Sequence, residues 1–340
     1  MGYWKEAAHL FVEYLLITRD ASSHTLRAYG REMDAWLKAL ALEMVDCGVA
    51  FETSHSSALW REWALLAAVR CTKGLKTSSQ RRFYSTLRSF IRYAVRHQGL
   101  EAEWLTLSFP KARLAQGLPQ FLTAQEVEAL IAALASEGEL IDCAENDSYS
   151  NCLERALCLR NQAIIGVLFT AGLRVNELTQ LRWGDIDWEE SSLRVQGKGN
   201  RQRVAFVSDE TLASLKAYEQ AWIGLLQRHR GRFKQSSDCR QTKPLPSDPI
   251  WLNHTGRLLS ARSVARMLAQ VAQKTGYSQA VHPHVFRHSF ATHLLNHGVE
   301  LRMVQELLGH VSIRSTQIYT HLQTHRLRQA YQKAHPRALR

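Results

Sequence analysis

Residues 282–298 read HPHVFRHSFATHLLNHG, and this stretch does most to decide the fold. Pro283 suits the first turn of a helix, because the amide hydrogen that proline lacks would have no partner there. His284 and Arg287 lie three residues apart and therefore share one face of that helix. Apolar residues recur at every fourth position on another side, as in a helix packed on a core: Phe286, Phe290 and Leu294. The pattern predicts a helix that ends near Gly298 and presents a His-x-x-Arg pair.

Two further polar groups follow downstream. The run LRMVQELL (301–308) predicts a helix that stops at Gly309, so His310 lies just past a helix end. Tyr319 comes nine residues later, within STQIYTHL. Neither is distinctive alone, since a histidine near a helix end is ordinarily a capping or packing group and such a tyrosine is ordinarily half-buried core.

Upstream, NQAIIGVLFTAG (161–172) predicts an apolar helix that ends at Gly172. Arg174 follows at the start of the next turn, in LRVNEL. Glu177 is three residues further on, close enough on a helical turn to orient the Arg174 guanidinium. Taken singly, such a pair is usually a structural ion pair.

The stretch LRVQGKGNRQRVAFV (193–207) has two short β-prone runs around a Gly-Lys-Gly-Asn turn. This arrangement predicts a β-hairpin with Lys198 at its tip. The two flanking glycines allow the backbone to approach a ligand closely. Without further context, a lysine at a hairpin tip is ordinarily a solvated turn residue.

The order of these residues resembles the active site of the tyrosine recombinase family. The surrounding motifs AGLRVNEL, GKGNRQR, HPHVFRHSFATHLL, ELLGH and TQIYTH match as well. The chain is most similar to the Xer branch, the XerC/XerD-like proteins, because FVEYLLITRDASSHTLRAY (11–29) and the tail LRQAYQKAHPRALR (327–340) resemble that branch too. The resemblance covers nearly the whole chain. It implies six catalytic residues: Arg174, Lys198, His284, Arg287, His310 and Tyr319.

The resemblance implies a mainly α fold (α+β, with a small β-hairpin or sheet in the catalytic domain) and two domains that clamp DNA. Helical patterns near 5–17, 23–42, 56–70 and 78–98 predict an N-terminal helical core-binding domain, residues 1–108. The segment 109–119, rich in proline, glycine and basic residues, is the predicted linker. A catalytic domain, residues 120–340, then opens with a capping box at Thr123 and Glu126.

The residue types suit transfer of a phosphodiester to a tyrosine. In the family the product is a 3′-phosphotyrosine, here at Tyr319, formed without metal, ATP or another cofactor. Two guanidiniums, Arg174 and Arg287, would stabilise the extra charge on the non-bridging oxygens. A phenol with a pKa near ~10 needs a base, and the resemblance assigns that role to His284. It assigns proton donation to the 5′-oxygen to Lys198 and contact with the phosphate to His310.

The implied partners are duplex DNA with a specific recombination site and a homo- or hetero-tetramer with a related recombinase. An FtsK-like translocase is a possible activator. In the family, the segment after the tyrosine packs on a neighbouring protomer; here Leu327 and Tyr331 could do that or pack on their own domain. The alternatives are an integrase of a phage, integron or transposon, a type IB topoisomerase, and a DNA-binding module without catalysis.

Charge points to an anionic partner. The chain carries a formal charge of +12, and residues 70–100 contain eight Lys or Arg and no Asp or Glu. A surface that follows phosphates is the favoured interpretation and a basic solvent-facing surface the alternative. Six residues of this stretch are the candidate DNA contacts: Lys73, Lys76, Arg81, Arg82, Arg88 and Arg92.

Other features exclude several classes of protein. The six cysteines show no zinc-ligand spacing and are interpreted as reduced thiols. The sequence has neither a signal-peptide pattern nor an apolar run long enough for a membrane span, so we expect a cytoplasmic, nucleoid-associated enzyme in chromosome partition and the cell cycle. The acidic stretch 136–154 and the basic stretch 228–243 are longer than is typical of Xer proteins, and their role stays open.

Overall fold

The computed structural model describes residues 1–19, 23–46, 57–110, 121–141, 148–197, 202–228, 245–277, 280–309 and 321–337. The chain divides into two compact units, residues 1–117 and 118–340. The two-domain layout predicted from the sequence is thereby confirmed. The limits of the predicted linker, 109 and 119, stay a prediction, because most of that segment lies outside the described residues.

The first unit is helical. It contains α1 (Gly2–Arg19), α2 (Ser23–Asp46), α3 (Ser57–Thr72) and α4 (Thr77–His97), followed by a short 3-10 turn at Ala102–Thr106. Its core is rich in aromatic rings, most of which pack edge-on or tilted and two pairs of which are stacked. The Trp4 ring, for example, lies 4.9 Å from that of Trp104 and 5.6 Å from that of Trp36. This core fixes one side of α4 and leaves its basic side in solvent.

The second unit combines helices with a small sheet. Its elements in chain order are α5 (Ala124–Glu139), α6 (Tyr149–Ala171), α7 (Val175–Gln180), β1 (Ile186–Asp187), β2 (Ser192–Gln196), β3 (Gln202–Phe206), α8 (Asp209–Arg228), α9 (Ala261–Lys274), α10 (Pro283–Asn296), α11 (Leu301–Leu307) and α12 (His321–Ala334). The strands form an antiparallel sheet in the order β1-β2-β3, with Leu193 opposite Ala205. The predicted hairpin and the capping box at Thr123 and Glu126 are both present.

Helix α6 is the centre of this unit. Its residues 163–171 are all buried, as the apolar sequence predicted, and α5, α8 and α10 pack around it. The helix ends at Gly172, whose φ of 58° lies in the left-handed region. In the part of the chain that the structure describes, no helix is long and apolar enough to cross a membrane.

Helix α12 packs on its own unit. Leu327 and Tyr331 are buried in one cluster with Phe290, on whose ring Tyr331 stacks, so the second of the two alternatives for this pair holds in the single chain. His335, fully buried, contacts the carbonyl oxygen of Phe169 through Nε2 at 3.1 Å and accepts the Arg337 amide through Nδ1 at 3.3 Å. Burial lowers the pKa of His335 to about 3, which keeps the ring neutral and this pair of hydrogen bonds intact.

Candidate active site

Arg174 lies in the short connection between α6 and α7. It occupies the position before the first residue of α7, and its backbone amide donates to Glu177 Oε2 at 2.9 Å. Its guanidinium donates to Glu177 Oε1 at 2.6 Å. The contact predicted from the three-residue spacing is therefore present. The Arg174 side chain is still 43% exposed, so Glu177 fixes the guanidinium without hiding it from solvent.

A second arginine shares the same carboxylate. Arg203, on β3, donates from Nη2 to Glu177 Oε2 at 2.7 Å, and both side chains are almost completely buried. Burial alone would raise the pKa of Glu177, but Arg203 and the hydrogen bonds from Arg174 outweigh it and lower that pKa. Glu177 is therefore an anion in the folded protein at neutral pH.

Arg287 is held by backbone oxygens at the ends of two helices. Nη1 donates to Gly172 O at 2.7 Å, after α6, and Nη2 donates to Leu308 O at 2.6 Å, after α11. Carbonyls at helix C-termini lack intrahelical partners and carry partial negative charge, so a guanidinium suits both. Burial, together with the positive charges of Arg174 and Arg203, lowers the pKa of Arg287 to about 10, which leaves it charged at neutral pH.

Two glycines allow these elements to come close. A Cβ on Gly172 would lie 2.7 Å from the Phe290 ring, and this close packing brings the Gly172 carbonyl to Arg287. Gly309 also has a positive φ, 66°, and a Cβ there would lie 2.7 Å from Cδ of Arg203. Larger residues would be strained at both positions, and they would collide with Phe290 at position 172 and with Arg203 at position 309.

His284 lies one turn before Arg287 on α10. Its side chain is exposed, and the three-residue spacing places the two residues on the same face. The His282 ring lies 6.2 Å from the His284 ring. Burial and the neighbouring His284 lower the pKa of His282. The face of α10 that carries Arg287 thus also carries an imidazole open to solvent.

The charges of the cluster do not balance. Arg174 and Arg203 pair with the Glu177 carboxylate and Arg287 lies near them, so positive charge exceeds negative by two in this group of described residues. The backbone oxygens that hold Arg287 satisfy its hydrogen bonds but add no full negative charge. Such an arrangement favours an anion at the exposed Arg174, and forked guanidinium donors match the oxygens of a phosphate.

Three of the predicted catalytic residues, Lys198, His310 and Tyr319, lie outside the described residues. The structure describes the elements next to them: β2 and β3 flank the segment with Lys198, and Gly309 directly precedes His310. Among the predicted residues within the described ranges, Arg174, Glu177 and Arg287 come together. His284 lies on the same face of α10 as Arg287.

The predicted DNA contacts lie on α4 and just before it. Arg81, Arg88 and Arg92 are exposed and fall within a narrow arc, because an α-helix turns by about 100° per residue. Lys73 and Lys76, just before the helix, are also exposed.

Several basic side chains of this stretch have local partners. Arg82 donates from Nε to Glu32 Oε1 at 2.6 Å, although its side chain is 61% exposed. The Arg88 guanidinium lies 5.7 Å from the centre of the Phe109 ring. Arg70, which was not among the predicted contacts, pairs with Glu43 and Asp46.

Arg203 was missed by the sequence interpretation. Side chains alternate along a strand, so Arg203 shares a face with Ala205, which is buried, whereas exposed Gln202 lies on the other face. A basic residue on the core face of a strand requires a buried partner. That alternation was the available signal, but nothing in the sequence identified Glu177 as the partner.

Both units of the chain are similar to known proteins. Residues 120–326 match the profile of the Phage integrase family, and residues 8–98 match the Phage integrase, N-terminal SAM-like domain. The chain is 32% identical over 331 residues to tyrosine recombinase XerC of Anoxybacillus flavithermus, covering 97% of each chain. It is 30% identical over 329 residues to tyrosine recombinase XerD of Listeria monocytogenes, covering 96% of this chain and 98% of that protein.

A solved structure shares the fold. The XerH site-specific recombinase bound to palindromic difH substrate, in a post-cleavage complex, superposes with a TM-score of 0.60 at 20% identity and covers 92% of this chain and 80% of that one. The matched profile spans the arginine cluster and more than half of the chain, and the curated relatives match almost from end to end. The chain therefore belongs to the phage integrase family of tyrosine recombinases, within its Xer branch.

Proposed function

We propose that this enzyme is a site-specific recombinase that cuts and rejoins duplex DNA through a 3′-phosphotyrosine at Tyr319. The observation that carries the proposal is the arginine cluster, in which hydrogen bonds hold Arg174 and Arg287 in place and positive charge exceeds negative charge. Such preorganised donors stabilise charge that develops in a transition state and need little reorganisation during the reaction.

Arg174 and Arg287 act on the non-bridging oxygens of the scissile phosphate. When the Tyr319 oxygen attacks phosphorus, a pentacoordinate transition state forms with added negative charge on those oxygens. Each guanidinium offers two parallel donors and stays protonated at neutral pH, so each can stabilise two oxygen positions at once. His310 donates a further hydrogen bond to the same phosphate.

The proton transfers involve His284 and Lys198. The His284 imidazole accepts the phenolic proton of Tyr319 as the oxygen–phosphorus bond forms. Lys198 donates a proton to the departing 5′-oxygen, which leaves as a hydroxyl. One phosphodiester bond has then been replaced by one phosphotyrosyl bond, with no net hydrolysis and no external energy source.

Rejoining reverses these steps with a different strand. The 5′-hydroxyl of a partner duplex attacks the phosphotyrosine, and the Tyr319 phenol is released. Exchange between two duplexes needs four active sites, which supports a homo- or hetero-tetramer with a related recombinase. The exposed basic side of α4 and the residues before it contribute phosphate contacts, through Lys73, Lys76, Arg81, Arg82, Arg88 and Arg92.

The biological substrate that we propose is the chromosome-dimer resolution site of the host, or a plasmid equivalent. The similarity to proteins named XerC and XerD over almost the full length supports this assignment. We further propose that the enzyme acts at the nucleoid, in chromosome partition and cell division, with an FtsK-like translocase as activator. The alternative within the family is integration of a mobile element.

The test is incubation of the purified protein with a duplex that contains the host's resolution site and a nick beside the scissile phosphate. The proposal predicts a covalent protein–DNA complex with the duplex that contains the resolution site. A scrambled duplex of the same length should give no such complex. Covalent complexes only with the ends of a mobile element would establish the integrase alternative. In a parallel incubation with a supercoiled plasmid, relaxation without strand exchange, on any sequence, would establish a type IB topoisomerase.

A further inference from the structure

We propose that Arg203 is a positioning residue for strand transfer, which holds Arg174 and the end of α11 in a fixed relation. The inference rests on the proposed function, because it assigns Arg203 a task within that active site. Arg203 lies on β3, opposite Val195 of β2, and its side chain points to the buried face of the sheet. From there the guanidinium reaches two other elements of the unit.

The first contact is with Glu177. The two carboxylate oxygens divide their partners: Oε1 accepts from the Arg174 guanidinium, and Oε2 accepts from Arg203 and from the Arg174 backbone amide. Arg203 therefore fixes the orientation of the carboxylate that orients Arg174. It also neutralises Glu177, so the charge of Arg174 is not cancelled by its own partner.

The second contact is with the carboxyl end of α11. Arg203 Nη1 donates to Leu307 O at 3.2 Å, and Arg287 Nη2 donates to the next carbonyl, Leu308 O, at 2.6 Å. Two arginines from different elements thus hold consecutive carbonyls of the same helix end. Gly309 follows directly, and its missing Cβ leaves room for the Arg203 side chain. His310 is the next residue in the chain.

Burial separates the role of Arg203 from that of Arg174. The Arg203 side chain is 6% exposed, whereas that of Arg174 is 43% exposed. A phosphate can therefore reach Arg174 but not Arg203 without a rearrangement of the cluster. Arg203 acts through Glu177 and the end of α11, and an arginine is needed because two of its nitrogens serve two partners at a fixed angle.

The experiment measures single-turnover cleavage of the nicked suicide duplex at saturating protein, alongside the Kd for the uncleaved duplex. We expect Arg203→Met to lower the cleavage rate by about 100-fold, the cost of a small misplacement of catalytic groups, with the Kd changed by less than about threefold. Arg203→Lys, which keeps the charge but not the fork, should fall between Arg203→Met and the wild type. Arg155→Met, an exposed arginine of α6, is the matched control and should cleave at the wild-type rate.

A double-variant cycle shows whether Arg203 acts through Glu177. If it does, adding Arg203→Met to Glu177→Gln should cost much less than the product of the two separate losses. The inference would be overturned if the loss of rate in the double variant equalled the product of the two separate losses. A cleavage rate of Arg203→Met within threefold of the wild type would overturn it too. Should Arg203→Met fail to fold, an Arg203→Lys variant that cleaves at the wild-type rate would overturn it as well. Absence of a covalent adduct with the wild type would instead contradict the proposed function.

Discussion

The two units of this protein use arginine in opposite ways. On α4, Arg81, Arg88 and Arg92 stand on an exposed surface, where water and salt screen each charge. In the second unit, Glu177 and a backbone carbonyl hold the buried Arg203, and two backbone carbonyls hold the partly buried Arg287. The first arrangement suits many weak, interchangeable contacts with phosphates. The second suits a few contacts whose geometry decides a reaction rate.

The acidic partners sharpen the contrast. Glu32 of the first unit accepts from Arg82 at 2.6 Å and from the Thr86 hydroxyl at 2.5 Å, so one positive charge meets one negative charge. Glu177 of the second unit accepts from two arginines, so these three side chains together carry one net positive charge. A carboxylate with one arginine anchors a helix, whereas a carboxylate shared by two arginines orients them and preserves net attraction for an anion.

The largest expected effect is that of Arg287→Lys. An ammonium group cannot donate to Gly172 O and Leu308 O in the same forked geometry and still present donors to a phosphate. We expect single-turnover cleavage to fall by about 10³-fold, at the upper end for loss of one preorganised donor group. DNA affinity, measured by mobility shift, should change by less than threefold. A rate within tenfold of the wild type would mean that the cluster does not stabilise the transition state.

Glu177→Gln should have the next largest effect, on both stability and rate. The substitution leaves Arg203 buried beside a neutral amide, and breaking a buried ion pair costs about 3–5 kcal/mol. We expect a clear drop in the thermal melting temperature of the second unit. The matched control is Glu32→Gln in the first unit, which removes a carboxylate paired with a largely exposed arginine and should cost less.

The difference in unfolding free energy between the wild type and Glu177→Gln should depend on pH, because the pKa of Glu177 is lowered in the folded protein. A carboxylate with a lowered pKa in the folded state stabilises the protein above its unfolded pKa, roughly 4.3. That stabilisation is lost as the pH falls below this value, through the folded pKa. The gap in unfolding free energy between wild type and Glu177→Gln should therefore be constant from pH 6 to 8 and shrink below about pH 4. If the gap in unfolding free energy stayed constant below about pH 4 as well, the charge of Glu177 would not be its source.

The smallest expected effect is on the exposed surface. Arg92→Ala should weaken DNA binding by about three- to tenfold at low salt and reduce the slope of log K against log salt by about one. Arg70→Ala is the matched control, because Arg70 already pairs with Glu43 and Asp46 and has less charge to offer a phosphate. Equal losses of DNA affinity in Arg92→Ala and Arg70→Ala would indicate a general effect of net charge and not a defined binding surface.

Sequence patterns predicted the parts of the fold that depend on local rules. The helix that opens at Pro283, the end of α6 at Gly172 and the β2–β3 hairpin all follow from proline geometry, glycine conformation and alternation. The pairing of Arg174 with Glu177 followed from their spacing. These features need only neighbours in the chain, so a single sequence contains them.

The rest depends on contacts between distant residues. That Arg287 reaches Gly172 O and Leu308 O, across 115 and 21 positions, is set by how α6, α10 and α11 pack. The sharing of Glu177 by Arg203 likewise requires β3 to meet α7, which no local periodicity indicates. The docking of α12 through Tyr331 was left open for the same reason.

The most direct test of the account is covalent trapping with wild type and Tyr319→Phe on the same nicked duplex. The wild type should give a protein–DNA adduct whose digested peptide carries the 3′-phosphate on Tyr319, as read by mass spectrometry. Tyr319→Phe should give no adduct while it binds the duplex with nearly unchanged Kd. An adduct from Tyr319→Phe, or a phosphate on another residue of the wild type, would contradict the assignment of the nucleophile.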